Sequence, residues 1–349
     1  MNRVNVAILG ATGAVGQQFV ALLAEHPWFQ IRALMASERS TGKTYAEAAS
    51  WKQPIELPPA IAAMKVEPCE PGGDFQVAFS ALDASVAGEI EQRFAAAGHL
   101  VVSNSRNHRL EPDIPLVIPE LNADHLQVLP AQRRNRGWKG GVVTNSNCST
   151  MFLAMALGPI QRRYGIDKVF VTTMQAISGA GYPGVPSWDI LGNVIPFISG
   201  EEEKVEIEPR KILGSLTNGR IELAPFVISA QTNRVAVEHG HTECLSIKLQ
   251  QKATPEEVAH LLENFTGLPQ QMKLPSAPCR PIVVRREKDR PQPRLDVMAG
   301  GGMSTVVGRI RPCPILDLRL VILGHNTIRG AAGAAILNAE LLQAQGYLS

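Results

Sequence analysis

The fold is decided by residues 4–16, VNVAILGATGAVG. Residues 4–9 form an apolar, β-rich run, which is typical of a strand buried on both faces of a parallel sheet. Glycines at positions 10, 13 and 16 follow, and an apolar helical stretch continues through Leu23. Glycines at a strand-to-helix turn let a pyrophosphate approach the N–H groups and the positive end of the helix dipole. The spacing is GxxGxxG rather than the GxGxxG of the usual dinucleotide motif, and glycines at this spacing could serve tight packing alone. Their position between a strand and a helix favours a dinucleotide site.

Strand and helix patterns alternate outward from this stretch. Strand patterns lie at residues 29–36, 75–80 and 100–103, and a helical pattern covers residues 86–97. Such alternation predicts an α/β fold whose first part is a Rossmann-type dinucleotide-binding domain.

The pattern changes after about residue 150. Fewer helices separate the predicted strands, which lie at residues 169–177, 221–230, 244–249, 281–284, 305–310 and 316–323. This arrangement predicts an α+β catalytic domain with a mixed sheet. The Ala-rich segment 328–345 is predicted to be a buried helix that packs back on the first domain. We therefore expect an NADP-binding domain at residues 1–147 and 329–349, and a catalytic and oligomerisation domain at residues 148–328.

Composition excludes several classes of protein. The 349 residues are 45% hydrophobic, and 34 Lys+Arg against 32 Asp+Glu give a net charge of +2, which argues against nucleic-acid binding. No apolar run approaches the roughly 18 residues of a membrane span. The five cysteines form no CxxC pair or His/Cys cluster, so no disulfide framework and no metal site is predicted. We expect a cytoplasmic globular protein without a signal peptide.

Residues 36–43, ASERSTGK, follow the second predicted strand and should select between NAD and NADP. Glu38 could accept a hydrogen bond from the ribose 2′-hydroxyl of NAD. Arg39 with Ser37 and Ser40 could instead bind the 2′-phosphate of NADP, with Lys43 as a further donor. Both signals are present, and the larger number of phosphate donors favours NADP.

Cys148 is the candidate nucleophile. It lies in NSNCST, residues 145–150, between a predicted strand and an apolar helix. The positive end of a helix dipole lowers the pKa of a thiol, so this position predicts a reactive thiolate. The N–H groups of the same turn, with the Asn147 amide, could form an oxyanion hole. The other four cysteines, at 69, 244, 279 and 313, are predicted to be core residues.

The nucleophile needs a base, and the residues alone leave two candidates. His239 and His241 are two positions apart in a predicted strand, so both could lie on one face. The other six histidines lack such surroundings and are predicted to be surface or capping residues.

Five motifs together resemble the aspartate-β-semialdehyde dehydrogenase family. They are GATGAVGQ at 10–17, ASERSTGK at 36–43, SNCST at 146–150, QAISGAGYPG at 175–184 and RVAVEHGHTE at 234–243, and the likeness continues to GHNTIRGAAGAA at 324–335. The resemblance implies reversible, NADPH-dependent reductive dephosphorylation of β-aspartyl phosphate to L-aspartate 4-semialdehyde through a cysteine thioester. That reaction belongs to the biosynthesis of lysine, threonine, methionine and isoleucine. The resemblance also implies a homodimer or homotetramer.

The same resemblance implies a role for individual residues. Cys148 corresponds to the nucleophile, His241 to the acid/base histidine, and Gln175 to the residue that orients the substrate. The residues implied to bind substrate or phosphate are Arg109, Asn147, Glu201, Lys204 and Arg234. The residues implied to bind the cofactor are Gly10, Thr12, Gly13, Ala14, Val15, Gly16, Ser37, Arg39, Ser40, Ser178, Gly179 and Asn326.

Within this set, Arg234 would bind the substrate α-carboxylate and Glu201 the ammonium group, while Arg109 and Lys204 would bind phosphate. Arg106 is the alternative to Arg109.

Two local features bear on the helix predicted at residues 201–213. Ser199 and Glu202 have the spacing of a capping box, so Glu201 and Lys204 could simply be a solvated helix start. Pro209 lies inside the helical pattern and is predicted to end or kink the helix.

Two other functions fit parts of the pattern. A malonyl-CoA-type or N-acetylglutamyl-phosphate-type reductase on the same fold would use similar Cys and His groups. A non-catalytic nucleotide-binding protein would need only the glycine turn, and the combination of Cys148, Gln175, Arg234 and His241 argues against it.

Overall fold

The computed structural model describes residues 3–348. Its first sheet has six strands: β1 Val4–Leu9, β2 Phe29–Ala36, β3 Val66–Pro68, β4 Val77–Ser80, β5 Leu100–Ser103 and β6 Gly141–Thr144. They are all parallel and lie in the order β3-β2-β1-β4-β5-β6. The strand order reverses beside β1, where a doubly wound sheet binds its ligand at the carboxyl ends of the strands.

The second large sheet has seven strands in the order β13-β14-β15-β12-β7-β11-β8. It is mixed, because β7 pairs in parallel with β11 and β13 pairs in parallel with β14, whereas the other pairs are antiparallel. The strands are β7 Ile166–Gln175, β8 Val194–Ile195, β11 Val227–Val235, β12 His241–Leu249, β13 Ile282–Arg285, β14 Thr305–Pro312 and β15 Leu318–Gly324. A separate hairpin is formed by β9 Ser215–Thr217 and β10 Arg220–Glu222. The predicted fold class, a dinucleotide-binding α/β domain with a mixed-sheet domain, is confirmed.

The helices cover both sheets. They are α1 Ala14–Leu23, α2 Tyr45–Ala48, α3 Pro59–Ala62, α4 Ala84–Ala97, α5 Pro119–Asn122, α6 Leu129–Arg136, α7 Cys148–Tyr164, α8 Ser187–Ile190, α9 Glu201–Ile212, α10 Pro255–Glu263, α11 Leu268–Gln271, α12 Pro293–Asp296 and α13 Gly333–Ala344. Within residues 3–348, no helix is both long and apolar enough to cross a membrane.

Helix α7 packs across the second sheet and carries the candidate nucleophile at its first position. Gly324 on β15 makes room for it, since a Cβ there would lie 2.0 Å from the Phe152 ring. A π-helical turn, Ile328–Ala332, leads into α13, whose apolar side chains share one core with Val6 and Ile8 of β1. The C-terminal segment therefore packs on the first sheet, as predicted.

Several predictions about single elements were wrong. Residues 221–230 form two strands, because Pro225 lies between β10 and β11 and has no N–H for a sheet ladder. Helix α9 continues through Pro209 to Ile212. Burial of Glu208 and Lys211 on either side holds the chain helical, so packing overrides the local preference.

Predictions about isolated histidines and cysteines also failed in part. Of the six histidines expected to be surface or capping residues, only His260 is exposed. The other five are buried and each has a hydrogen-bond partner, such as Glu340 Oε1 2.8 Å from His26 Nε2, and His325 Nδ1 accepts from Ile328 N at the start of the π-helical turn. Cys244 and Cys279 are exposed rather than buried. Cys244 alternates with the buried Glu243 and Leu245 on β12, so it points to the outer face of the sheet.

Candidate active site

The nucleophile is positioned by the turn between β6 and α7. Asn147 caps α7, since its Oδ1 accepts hydrogen bonds from Ser149 N at 2.9 Å and Thr150 N at 3.1 Å. These two N–H groups are therefore engaged with Asn147, although N–H groups of this turn were predicted to be available for an oxyanion hole. Among residues 3–348, the backbone N–H of Cys148 has no hydrogen-bond acceptor.

His241 lies beside the thiol. Cys148 Sγ is 3.1 Å from His241 Nε2, and the backbone N–H of Ala176 donates to His241 Nδ1 at 3.1 Å. Because Nδ1 accepts a hydrogen bond, the neutral ring carries its proton on Nε2 and donates it to Sγ. In the free protein this geometry makes His241 a hydrogen-bond donor to Cys148 Sγ.

Burial dominates the electrostatics of this pair. It raises the pKa of Cys148 to about 12, with a contribution from the Glu201 carboxylate, against the opposing effect of Arg234 and Arg109. Burial also lowers the pKa of His241 to about 3. The prediction of a lowered thiol pKa from the helix dipole was wrong, because loss of hydration outweighs the dipole. At neutral pH the free protein holds a thiol beside a neutral imidazole.

Arg234 and Gln175 lie opposite each other on paired strands. Arg234 is buried, and its Nη1 donates to the Ala176 carbonyl at 2.8 Å. The backbone C=O of Ala176 thus holds Arg234, and its N–H holds His241. A Cβ on Gly179 would lie 2.9 Å from both Arg234 Nη1 and His241 Cε1. Only glycine at this position leaves room for the two side chains.

Glu201 and Lys204 form an ion pair at the start of α9. Lys204 Nζ lies 2.8 Å from Glu201 Oε2, and Asn147 Nδ2 donates to Glu201 Oε1 at 2.7 Å. Although burial alone would raise it, Lys204 and the hydrogen bonds hold the pKa of Glu201 below its ordinary value. The capping-box alternative was wrong: Gly200 is the N-cap, with no side-chain cap, and Glu202 accepts from Thr232 N.

Arg109 is buried, whereas its alternative Arg106 is exposed. Arg109 Nη1 donates to Glu208 Oε1 at 2.9 Å, and Nη2 donates to the Asn104 carbonyl at 2.6 Å. Its Nε is buried and has no hydrogen-bond partner within residues 3–348. Arg109 acts electrostatically on Cys148, which places it in the same site.

The glycine turn has an open anion-binding edge. A Cβ on Gly16 would lie 2.2 Å from the Gly10 carbonyl oxygen, and one on Gly10 would lie 2.7 Å from Ala81 O, so the fold itself requires both glycines. A Cβ on Gly13 would meet nothing closer than 3.5 Å, and Gly13 is exposed. No side chain caps α1, so the N–H groups of Ala14 and Val15 face this open edge. These features fit a pyrophosphate and are not needed for packing.

The residues after β2 form an exposed turn. Ser40 N donates to Ser37 O at 2.9 Å, and Glu38 and Arg39 point into solvent. In the part of the chain that the structure describes, the Arg39 side chain has no hydrogen-bond or ion-pair partner. It is free to bind a ligand.

Ser178 and Asn326 are joined by hydrogen bonds close to the Cys148–His241 pair. Asn326 Nδ2 donates to Ser178 Oγ at 2.8 Å, and Asn326 Oδ1 accepts from Gly240 N at 2.9 Å. His239 Nδ1 lies 3.0 Å from Ser178 Oγ, so His239 belongs to this network and does not contact the thiol. The contacts fix the amide orientation of Asn326.

The sequence reasoning missed several residues of the site. Glu208 and Lys211 are buried on the same helix as Glu201 and Lys204. His325 stacks on His239 with 5.0 Å between ring centroids, and burial lowers its pKa to about 4. Glu243 is fully buried two residues beyond His241. Glu208 and Lys211 lie seven and ten positions after Glu201, a spacing that places them on the same helix face as Glu201 and Lys204. The sequence therefore contained a signal for them.

Comparisons with known proteins point to one family. "Semialdehyde dehydrogenase, NAD binding domain" matches residues 5–129, and "Semialdehyde dehydrogenase, dimerisation domain" matches residues 157–329. An aspartate-semialdehyde dehydrogenase from Methanothermobacter thermautotrophicus is 50% identical over 343 residues, covering 97% of this chain and 99% of the relative. One from Schizosaccharomyces pombe is 49% identical over 352 residues, covering 98% of this chain and 99% of the relative.

Two solved structures are similar over nearly the whole chain. Aspartate semialdehyde dehydrogenase with NADP from Candida albicans has a TM-score of 0.92 at 44% identity, covering 99% of each chain. Aspartate semialdehyde dehydrogenase II from Vibrio cholerae has a TM-score of 0.77 at 29% identity, covering 98% of this chain and 99% of that one.

Proposed function

Because the chain belongs to the aspartate-semialdehyde dehydrogenase family, we propose that it converts β-aspartyl phosphate and NADPH reversibly into L-aspartate 4-semialdehyde, phosphate and NADP. The reaction passes through a thioester on Cys148 and serves the biosynthesis of lysine, threonine, methionine and isoleucine. The observation that carries the proposal is the 3.1 Å contact between Cys148 Sγ and His241 Nε2, with Arg234 and Glu201 around it. Such a site suits an acyl group bearing a carboxylate and an ammonium.

The charges of the site match those of the substrate. Arg234 binds the α-carboxylate, for which a planar guanidinium is suited, and Glu201 binds the α-ammonium. Lys204 and Arg109 bind the phosphate by charge-assisted hydrogen bonds, and the free Arg109 Nε supplies one of them. Substrate binding thus replaces the Lys204–Glu201 pair with two contacts to the ligand.

Chemistry at Cys148 passes through a thiolate: the thiol of the free protein first loses its proton to solvent, and the thiolate that the reaction releases takes a proton back from solvent. The sulfur attacks the acyl phosphate carbon, the carbon–oxygen bond to phosphate breaks, and phosphate leaves with the electron pair and takes up a proton from solvent. Bound NADPH would supply the hydride that reduces the thioester carbon. The resulting oxyanion collapses to the aldehyde and expels the Cys148 thiolate, so this step needs no proton.

His241 and the main chain stabilise these charges. The Nε2–H of His241 donates to the thiolate, and the free N–H of Cys148 donates to the oxyanion. Gln175 orients the acyl group, and Asn147 holds Glu201 through its amide. This assignment gives His241 the role of a hydrogen-bond donor in the free enzyme.

The cofactor is NADP. Support comes from the uncapped start of α1 for the pyrophosphate, with Gly10, Thr12, Gly13, Ala14, Val15 and Gly16 along it, and from the unpartnered Arg39 with Ser37 and Ser40 for the 2′-phosphate. Ser178, Gly179 and Asn326 would hold the nicotinamide end, for which the second hydrogen of Asn326 Nδ2 is available.

The domain division and the assembly follow from the same proposal. Residues 1–147 and 329–349 bind the cofactor, and residues 148–328 carry catalysis and oligomerisation in a cytoplasmic homodimer or homotetramer. Support for a partner surface comes from a run of exposed apolar side chains, with Tyr182 70%, Trp188 95% and Phe197 67% exposed.

A direct assay tests the proposal. The wild-type protein should reduce NADP only when aspartate semialdehyde and phosphate are both present, and Cys148→Ala should abolish this activity. Glu203→Gln, an exposed change on α9, is the control. Activity with malonyl-CoA or N-acetylglutamyl phosphate and none with aspartate semialdehyde would refute the substrate assignment.

A further inference from the structure

Helix α9 presents four charged side chains to the site. Glu201, Lys204, Glu208 and Lys211 are spaced by three, four and three residues, so they lie on one stripe of the helix. The first two are assigned to the substrate under the proposed function. Glu208 and Lys211 are each 2% exposed and have no such role. Burying a charged side chain is costly, so specific contacts must keep Glu208 and Lys211 buried.

Glu208 joins the phosphate arginine to the residue before the nucleophile. Its Oε1 lies 2.9 Å from Arg109 Nη1, and its Oε2 accepts a hydrogen bond from the backbone N–H of Asn147 at 2.6 Å. Asn147 is the N-cap of the helix that begins at Cys148. The Glu208 carboxylate therefore connects Arg109, which binds the leaving phosphate under the proposed function, to the turn that carries the attacking sulfur of Cys148.

Lys211 fixes the main chain of the same loop. Its Nζ donates to three carbonyls, those of Arg109 at 2.7 Å, Glu111 at 2.6 Å and Ile114 at 2.7 Å. All three ammonium protons are used, so Lys211 has no donor left for a ligand. It holds the backbone of Arg109, while Glu208 holds the guanidinium.

We propose that Glu208 is a positioning residue that aligns the phosphate-binding face of Arg109 with the nucleophile turn. Glu208 holds Nη1 and the Asn104 carbonyl holds Nη2, so the orientation of the guanidinium is fixed. Its unpartnered Nε–H, with the second hydrogen of each Nη, is left for phosphate. This inference rests on the proposed function for the role of Arg109. The Asn147 contact gives it a second readout, which needs no substrate.

Glu208→Gln tests the inference, because the amide has the same shape but cannot accept from both partners. Its NH₂ group must face either Arg109 or Asn147 N–H, and both are donors. We expect the KM for phosphate to rise at least tenfold and kcat to fall at least tenfold, with the KM values for aspartate semialdehyde and NADP nearly unchanged. In an Arg109→Ala background, Glu208→Gln should change kcat by less than twofold.

Glu206→Gln is the matched control, since Glu206 also accepts a backbone N–H, that of Ala230, but contacts neither Arg109 nor Asn147. An unchanged phosphate KM in Glu208→Gln, or equal increases in all three KM values with a lower Tm, would overturn the inference. Alkylation of Cys148 by iodoacetamide needs no substrate, so it distinguishes failure of this inference from failure of the proposed function. If the wild type lacks phosphate-dependent activity, the proposed function fails, and a Cys148 alkylation rate unaltered by Glu208→Gln would overturn the positioning role as well.

Discussion

Replacing Glu243 with glutamine should stabilise the protein more as the pH rises. Glu243 is fully buried, and neither carboxyl oxygen has a hydrogen-bond partner within residues 3–348. Burial, together with the nearby Glu201 carboxylate, raises the pKa of Glu243 well above its ordinary value. The folded protein therefore keeps this carboxyl protonated at a pH where the unfolded chain has lost the proton.

The sign and size follow from linkage. Above the unfolded pKa and below the folded one, the unfolded state binds fewer protons, so the free energy of unfolding falls as pH rises. The slope for one proton is about 1.4 kcal/mol per pH unit, or about 2.7 kcal/mol between pH 5 and pH 7. Glutamine cannot ionise, so Glu243→Gln lacks this loss.

Urea unfolding of both proteins at pH 5, 6, 7 and 8 and one fixed protein concentration measures the effect. The free energy of unfolding of Glu243→Gln minus that of the wild type should increase with pH, by up to about 1.4 kcal/mol per pH unit while the folded protein keeps Glu243 protonated. Any constant offset reflects how the amide packs and does not bear on the slope. Glu203→Gln, at an exposed position of α9, should give a flat difference. A flat or falling difference for Glu243→Gln would refute the reasoning.

Three further predictions concern the site. Alkylation of Cys148 by iodoacetamide in the free protein should accelerate up to pH 10 without a plateau, because burial raises the pKa of Cys148 to about 12; a plateau below pH 8 would contradict this. His241→Ala should lower kcat at least about a hundredfold, and His239→Ala, which removes a contact to Ser178 but none to the thiol, far less; the reverse ranking in steady-state assays would overturn the assignment. Arg39→Ala should raise the KM for NADP roughly tenfold to hundredfold, as expected for a lost charge-assisted hydrogen bond, and leave the KM for NAD nearly unchanged; equal increases would argue against a 2′-phosphate contact.

Local pattern predicted the first sheet well. The strands Val4–Leu9 and Phe29–Ala36 have the bounds that their apolar runs indicate, because each run is closed by residues that cannot continue a buried strand. The break at Pro225 was just as local but was overlooked inside a long apolar run.

The active site depended on contacts between distant residues. Spacing left His239 and His241 equal, and only the folded chain brings His241 Nε2 to the thiol. The thiol pKa was mispredicted because a helix dipole can be inferred from one turn, whereas burial comes from the surrounding chain. Glu208 and Lys211 resemble a solvated helix face until the loop at Arg109 covers them.

The π-helical turn Ile328–Ala332 has a consequence for synthesis. A Cβ on Gly330 would lie 2.8 Å from the Cβ of Cys148, so this late segment forms one wall of the nucleophile pocket. Residue 330 is synthesised long after Cys148, so the nucleophile pocket gains this wall only once the segment that contains α13 has packed on the first sheet.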